Sequence, residues 1–175
     1  MSNEIYNSGR RDFLKGVAIG AGGLAFGSML IHPKQVFPAQ AQELPAGAVR
    51  LTPGELVWKP LEVPKGAEIT ALIGSRSKPG PYVVRVKFPP NFTHYPHSHP
   101  DNRTYTVISG IWYVGFGDKL DPAKLKALPA GSFHTEPANV NHFAITKEEG
   151  AIVQMTGTGP TGTKFVDPAH DPRKK

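Results

Sequence analysis

Three imidazoles in this chain are spaced to act together. His97 and His99 stand at i and i+2 in His97-Ser98-His99, and His142 follows the turn-like run Pro137-Ala138-Asn139-Val140-Asn141. On a β-strand, i and i+2 point to the same face. His97 and His99 can therefore grip one ion side by side, with His142 completing the site from a neighbouring strand. Three imidazole donors suit Fe, Mn, Zn, Cu or Ni better than Mg or Ca. The chain has no cysteine, so the site can use only nitrogen and oxygen donors and no disulfide can brace the fold. The expected cofactor is a divalent transition metal: Fe, Mn or Zn.

The elements that must position these residues are short strands. Nineteen glycines and 18 prolines in 175 residues favour turns and short strands over long helices. Glu68–Ile73 reads as a strand. Tyr82 to Phe88 alternates, with Tyr82, Val84, Val86 and Phe88 on one face and Arg85 and Lys87 on the other, the pattern of a half-buried strand. Phe92 to His99 carries the first histidines. Thr104–Ile108 and Ile111–Phe116 are predicted strands joined by a two-residue hairpin turn at Ser109-Gly110. Asp121 to Leu128 is predicted as a short helix with Asp121 as N-cap and Pro122 in the first turn. Ser132–Glu136, His142–Thr146 and Ala151–Thr156 complete the strands, and the Gly/Pro-rich end from Gly157 is expected to wrap the surface. Short strands with turn signals between them and one small helix predict an all-β sandwich or jelly roll.

The first 41 residues read as an export signal and not as part of this fold. Arg10-Arg11-Asp12-Phe13-Leu14-Lys15 is a twin-arginine motif. An apolar, Gly/Ala-rich run from Gly16 to Ile31 follows it, and Ala39-Gln40-Ala41 offers small residues for a signal peptidase. The run is too short and glycine-rich for a stable membrane span, so no membrane anchor is expected after cleavage. The chain is thus expected to engage the twin-arginine export machinery, which carries folded proteins, and to be secreted to the periplasm. A metal acquired in the cytoplasm before export escapes competition with periplasmic copper and zinc, which affinity order alone would favour. The mature chain would run from Gln42, with a Pro-rich arm over 42–66, a domain over 67–160 and a tail over 161–175. The precursor carries a net charge of +6. Losing the signal's four Lys/Arg and two Asp/Glu leaves +4, part of it in Arg173-Lys174-Lys175. No basic stripe interleaves with aromatic residues, so nucleic acid is not an expected partner; a small-molecule ligand is.

The two histidine segments resemble the two motifs of the cupin superfamily. The first family motif runs Gly, five residues, His-x-His, three or four residues, Glu, six residues, Gly. Here His97, His99 and the closing Gly110 match, and Asn91 replaces the opening glycine. The second runs Gly, five residues, Pro-x-Gly, two residues, His, three residues, Asn. Here Gly131, Pro137 and His142 match, Asn139 replaces the internal glycine, and Thr146 replaces the final asparagine. Asparagine is among the few non-glycine residues that tolerate positive φ. The stretch from Tyr113 to Phe133 also looks like that of small bacterial single-domain cupins. The resemblance covers about residues 68–160 and implies a cupin-type β-barrel, a double-stranded β-helix jelly roll, with His97, His99 and His142 as metal ligands. Related barrels commonly dimerise by exchanging N-terminal strands, so residues 42–66 allow a homodimer.

One departure matters. The family's metal-binding glutamate falls at Arg103. The guanidinium fork of Arg103 is read as the anchor of a substrate carboxylate. Glu136, the nearest carboxylate to the second motif, is expected to neutralise Arg103, and Asp101 stands too close to His99 in sequence to be taken as a substitute ligand. His134, Gln154 and Tyr113 are pocket candidates, each equally explained by packing or by a solvent-facing position. Together these readings describe a periplasmic cupin with a three-histidine metal site acting on a small organic molecule, anionic ones included, in an oxygenase- or isomerase-like reaction. The alternative is a non-catalytic cupin that binds a small ligand or metal at a degenerate site.

Overall fold

The computed structural model of the chain describes residues 44–174. The twin-arginine motif, the apolar run and the expected cleavage site all lie outside the described residues. Among those described, no helix is long and apolar enough to cross a membrane.

Ten strands form one curled antiparallel sheet. They are β1 (Lys59–Pro60), β2 (Glu68–Ile73), β3 (Gly80–Phe88), β4 (Thr93–Ser98), β5 (Arg103–Phe116), β6 (Lys126–Pro129), β7 (Phe133–Glu136), β8 (His142–Ile145), β9 (Ala151–Gly159) and β10 (Lys164–Phe165). The order is β1-β2-β3-β9-β5-β8-β4-β10, with β6 and β7 also paired to β5. The alternation read in Tyr82–Phe88 is realised: Tyr82, Val84, Val86 and Phe88 are all buried, and the residues between them are partly exposed. These four join Val107, Trp112, Val153 and Met155 in a single core. Phe88 stacks on Trp112 with ring centroids 4.3 Å apart. Each fully buried side chain of this size contributes about 1.5–3 kcal/mol, so this face holds the curl of the sheet together.

Two local expectations are corrected. Ser109-Gly110 is not a hairpin turn. Residues 103–116 are one continuous strand, with a register shift between Val107 and Ser109 against β9. Its first half pairs with β9 and β7, its second half with β8 and β6. β5 is therefore the corner at which the sheet folds over on itself. Gly110 sits at the bend with φ +71°, and a Cβ there would collide with the Gly150 carbonyl. Its turn signal was real, but it marks a bulged corner and not a chain reversal. The helix expected over Asp121–Leu128 is reduced to a single 3-10 turn, Pro122–Lys124. Asp121 caps it as expected, accepting from the Ala123 N–H at 3.0 Å. Beyond it the chain is extended, because so short a helix has little stability of its own. Pairing Lys126–Pro129 with Ile111–Val114 instead satisfies the backbone and buries Leu128.

Candidate metal centre

His97 lies directly opposite His142 on the antiparallel pair β4–β8, and facing residues on paired strands share a face. His99 follows at i+2, just past the end of β4. The potential ligand atoms of the three imidazoles all lie within 4.8 Å of one another. All three residues are buried, His97 and His142 at 1 % exposure.

The backbone fixes which ring nitrogen is free. Nδ1 of His97 meets the Tyr95 carbonyl at 2.6 Å, that of His99 the Gly162 carbonyl at 2.7 Å, and that of His142 the Val140 carbonyl at 2.9 Å. A carbonyl can only accept, so each Nδ1 carries the hydrogen. Each Nε2 is left with a lone pair aimed into the site, the arrangement that orients metal-binding histidines. Burial holds the His97 imidazole well below its usual pKa. His99 is pushed down to about 2, by burial first and then by the charge of Arg103. Both therefore stay neutral and able to ligate.

A carboxylate stands beside the group. Glu136, on β7, places Oε2 3.2 Å from Nε2 of His142 and 3.8 Å from Nε2 of His99. Both Glu136 Oε2 and His142 Nε2 are buried and lack a hydrogen-bond partner. Two electron-rich atoms facing each other at this distance need a cation or a proton between them, and unsatisfied buried polar atoms are costly. Burial works to raise the Glu136 pKa, but the facing ring nitrogens of His134, His142 and His99 work against it and leave the carboxyl well below its usual value. Three imidazoles and one carboxylate fit Fe, Mn or Zn.

Arg103 is directly opposite Glu136 in the β5–β7 register, but Glu136 is not its partner. Nε of Arg103 contacts Asp101 Oδ1 at 3.2 Å, and Nη2 reaches Thr161 Oγ1 at 2.5 Å and the Gly162 carbonyl at 3.4 Å. Tyr82 donates to the other oxygen of Asp101 at 2.7 Å, and the Thr161 hydroxyl donates to Asp101 Oδ1. The expected neutralisation of Arg103 by Glu136 is thus corrected. Asp101 supplies the countercharge, and Glu136 remains with the histidines.

The other candidates disperse. His134 stacks on Tyr105 at 4.6 Å and brings Nε2 3.5 Å from Glu136 Oε1. Gln154 lies between the buried Val153 and Met155 and accepts from Nε of Arg85 at 3.2 Å, so it points away from the core. Tyr113 likewise alternates with the buried Trp112 and Val114, and Lys147 sits over its ring at 4.6 Å. Met155 and Trp112 line the histidine chamber in their place. The chamber holds about 30 Å³ of free space, room for an ion and little more.

The sequence reading passed over three contributors. His94 is buried and stacks on His97 at 3.6 Å, because a register shift between His94 and His97 turns both inward. The tail pairs with the ligand strand, Phe165 opposite His97, and supplies the carbonyl that orients His99. Thr146, in place of the motif's asparagine, donates to the Pro89 carbonyl at 2.6 Å and accepts from the Phe92 N–H at 3.0 Å, tying β8 to the entry of β4.

Comparison with known proteins agrees with this architecture. The family model described as ChrR Cupin-like domain matches residues 46–162. The chain belongs to that family. Among solved structures, this cupin resembles the polyketide cyclase RemF from Streptomyces resistomycificus, with TM-score 0.57 and 14 % identity over 73 % of this chain and 91 % of that one. It also resembles an RmlC-like cupin from Ralstonia eutropha, with TM-score 0.51 and 16 % identity over 66 % and 71 % of the two chains. A third, KdgF from Halomonas sp., gives TM-score 0.50 and 18 % identity over 64 % and 94 %. At these identities the likeness is one of fold. No curated protein matches the chain significantly.

Proposed function

We propose that this chain is an exported, periplasmic cupin enzyme whose single divalent transition metal acts on a small organic molecule in an oxygenase- or isomerase-like reaction. The observation that carries it is the convergence of three buried imidazoles, each oriented by a backbone carbonyl, on the partnerless buried oxygen of Glu136. His97, His99, His142 and Glu136 would hold the ion. Bound there, it would supply Lewis-acid or redox chemistry. The chain's own part is to exclude water with Phe88, Trp112 and Met155, which line the chamber, and to keep His97 and His99 neutral by burial. RemF, named a polyketide cyclase, is an instance of this fold acting on an organic molecule; the fold itself does not fix the reaction. The twin-arginine motif at Arg10-Arg11 supports export.

Cobalt(II) titration of the metal-free mature chain tests this reading. A visible ligand-field band that saturates at one ion per chain, and is lost in His97→Ala and His142→Ala, is the expected result. No band, or one indifferent to both substitutions, would remove the metal and with it the proposed chemistry.

A further inference from the structure

A second guanidinium stands beside the histidine chamber, and among the described residues it has no anionic partner. Arg76 lies in the connection between β2 and β3 and lines the chamber. Its side chain makes no hydrogen bond or ion pair with any described residue, and its Nε is buried without a partner. Asp101, the nearby carboxylate, is already held by Arg103, Tyr82 and Thr161. Arg103 cannot serve as the free cation, since its own fork is engaged by the same group. Burial, and then the like charge of Arg103, lower the pKa of Arg76, so an anion beside it would relieve both effects.

Arg76 is also held in place. The Thr161 N–H donates to its carbonyl at 2.8 Å. The turn around it packs so closely on β9 that a Cβ at Gly159 would strike the carbonyls of Ser75, Arg76 and Lys78. The guanidinium therefore extends from a fixed backbone, which lowers the cost of binding.

Its position is a threshold. Arg76 and Leu61 line the chamber and also a larger groove of about 570 Å³. Leu51, Leu56, Val57, Ile69 and Val84 make most of that groove apolar. Its other charged residues are Lys59, a further cation, and Glu55, which is tied to Thr52 at 2.6 Å. The groove has the size of a small-molecule site, whereas the chamber has room for little beyond an ion. An apolar trough ending at a partnerless guanidinium complements an amphipathic anion. We propose that Arg76 anchors small monocarboxylates, with the carboxylate on its guanidinium at the chamber's mouth and the apolar body in the groove; only in making this ligand the substrate does the assignment rest on the metal reading above. A planar carboxylate matches the guanidinium fork.

Calorimetric titration of octanoate into the full mature chain tests the site, with octan-1-ol as the uncharged control and zinc content measured on the same samples. Octanoate should bind saturably at one site in both metal-free and zinc-loaded protein. Octan-1-ol should bind roughly tenfold or more weaker, as should octanoate to Arg76→Met, with Arg76→Lys between, since a charge-assisted contact is lost. Equal binding of octanoate and octan-1-ol overturns the site even if Arg76→Met does not fold. So does octanoate binding that Arg76→Met leaves unchanged, or failure of octanoate to bind because light scattering shows a second copy closing the groove. Octanoate binding that depends on Arg76 in protein that takes up no zinc supports this site and refutes the metal reading; zinc uptake with no Arg76-dependent binding does the reverse.

Discussion

Arg103 and Glu136 face each other across the first paired position of β5 and β7, and both side chains are buried. The position on β5 where related cupins carry a glutamate holds a guanidinium here, and the strand alongside provides the carboxylate. Glu136 reaches His142 at 3.2 Å, while Arg103 turns to Asp101. Moving the acid one strand sideways leaves the local charge balanced and the site with an oxygen donor.

Glu136→Gln should weaken zinc binding by roughly 10- to 100-fold, the cost typical of disturbing a metal centre's supporting groups, and by more if the ion bonds directly to Oε2. Competition against a chromophoric chelator measures this. Unchanged affinity would mean that Glu136 is only a neighbour of the site.

Arg103→Met should destabilise the fold by about 3–5 kcal/mol, because Asp101 is left buried and uncompensated. Adding Asp101→Asn should recover part of that loss. A double-mutant cycle from urea unfolding reads the coupling. Additive effects would show that the pair is not coupled.

Metal-free protein should weaken in mild acid. The usual histidine pKa is near 6.5, and His99 lies at about 2 in the fold, with His97 also well below its usual value. Below about pH 6.5 the unfolded chain takes up protons that the folded chain refuses. Stability is therefore complete above that pH and falls steadily toward pH 2, by about 1.4 kcal/mol per pH unit for each such histidine. Glu136, depressed below its usual value, adds a loss of the same sign below about pH 4.5. Urea midpoints at pH 7.5, 6 and 5 should decline in that order. A flat series would show that the folded protein protonates these imidazoles as readily as the unfolded chain does.

Asn139→Ala should cost about 1–2 kcal/mol, the penalty for an ordinary residue in the left-handed region, whereas Asn139→Gly should be tolerated. Asn139 has φ +62° and its N–H donates to the His99 carbonyl at 2.7 Å. The alanine variant should therefore also lower metal affinity. Thermal unfolding and the same chelator competition check both effects, and an alanine variant as stable as wild type would refute the strained turn.

Much of this site was legible in the sequence for physical reasons. Asn91 and Asn139 replace motif glycines, and they are the two non-glycine residues with positive φ among those described. The substitutions kept the backbone shape, so the histidines could be read in register. Period-two alternation fixed Tyr82–Phe88 because one face of β3 is buried. Ser109-Gly110 misled because a glycine at positive φ serves a bulged corner as well as a hairpin. Only long-range pairing, β5 with both β9 and β8, separates the two. Glu136 was legible as a nearby carboxylate but not as a ligand candidate, since its direction depends on the β5–β7 register. Asp101 lies two residues from Arg103, yet its hold on that residue depends on Tyr82 and Thr161, which arrive from distant strands. The tail's role was invisible for the same reason: nothing local in Gly162 says that its carbonyl orients His99.

The most direct test is elemental analysis of the protein expressed from its full sequence and purified without chelator. About one iron, manganese or zinc per chain, absent from His97→Ala and His142→Ala, is the expected result for an ion held by these histidines with Glu136 beside them. No transition metal above background, in protein that also takes up none on incubation, would contradict the metal centre and leave a cupin that binds its ligand without one.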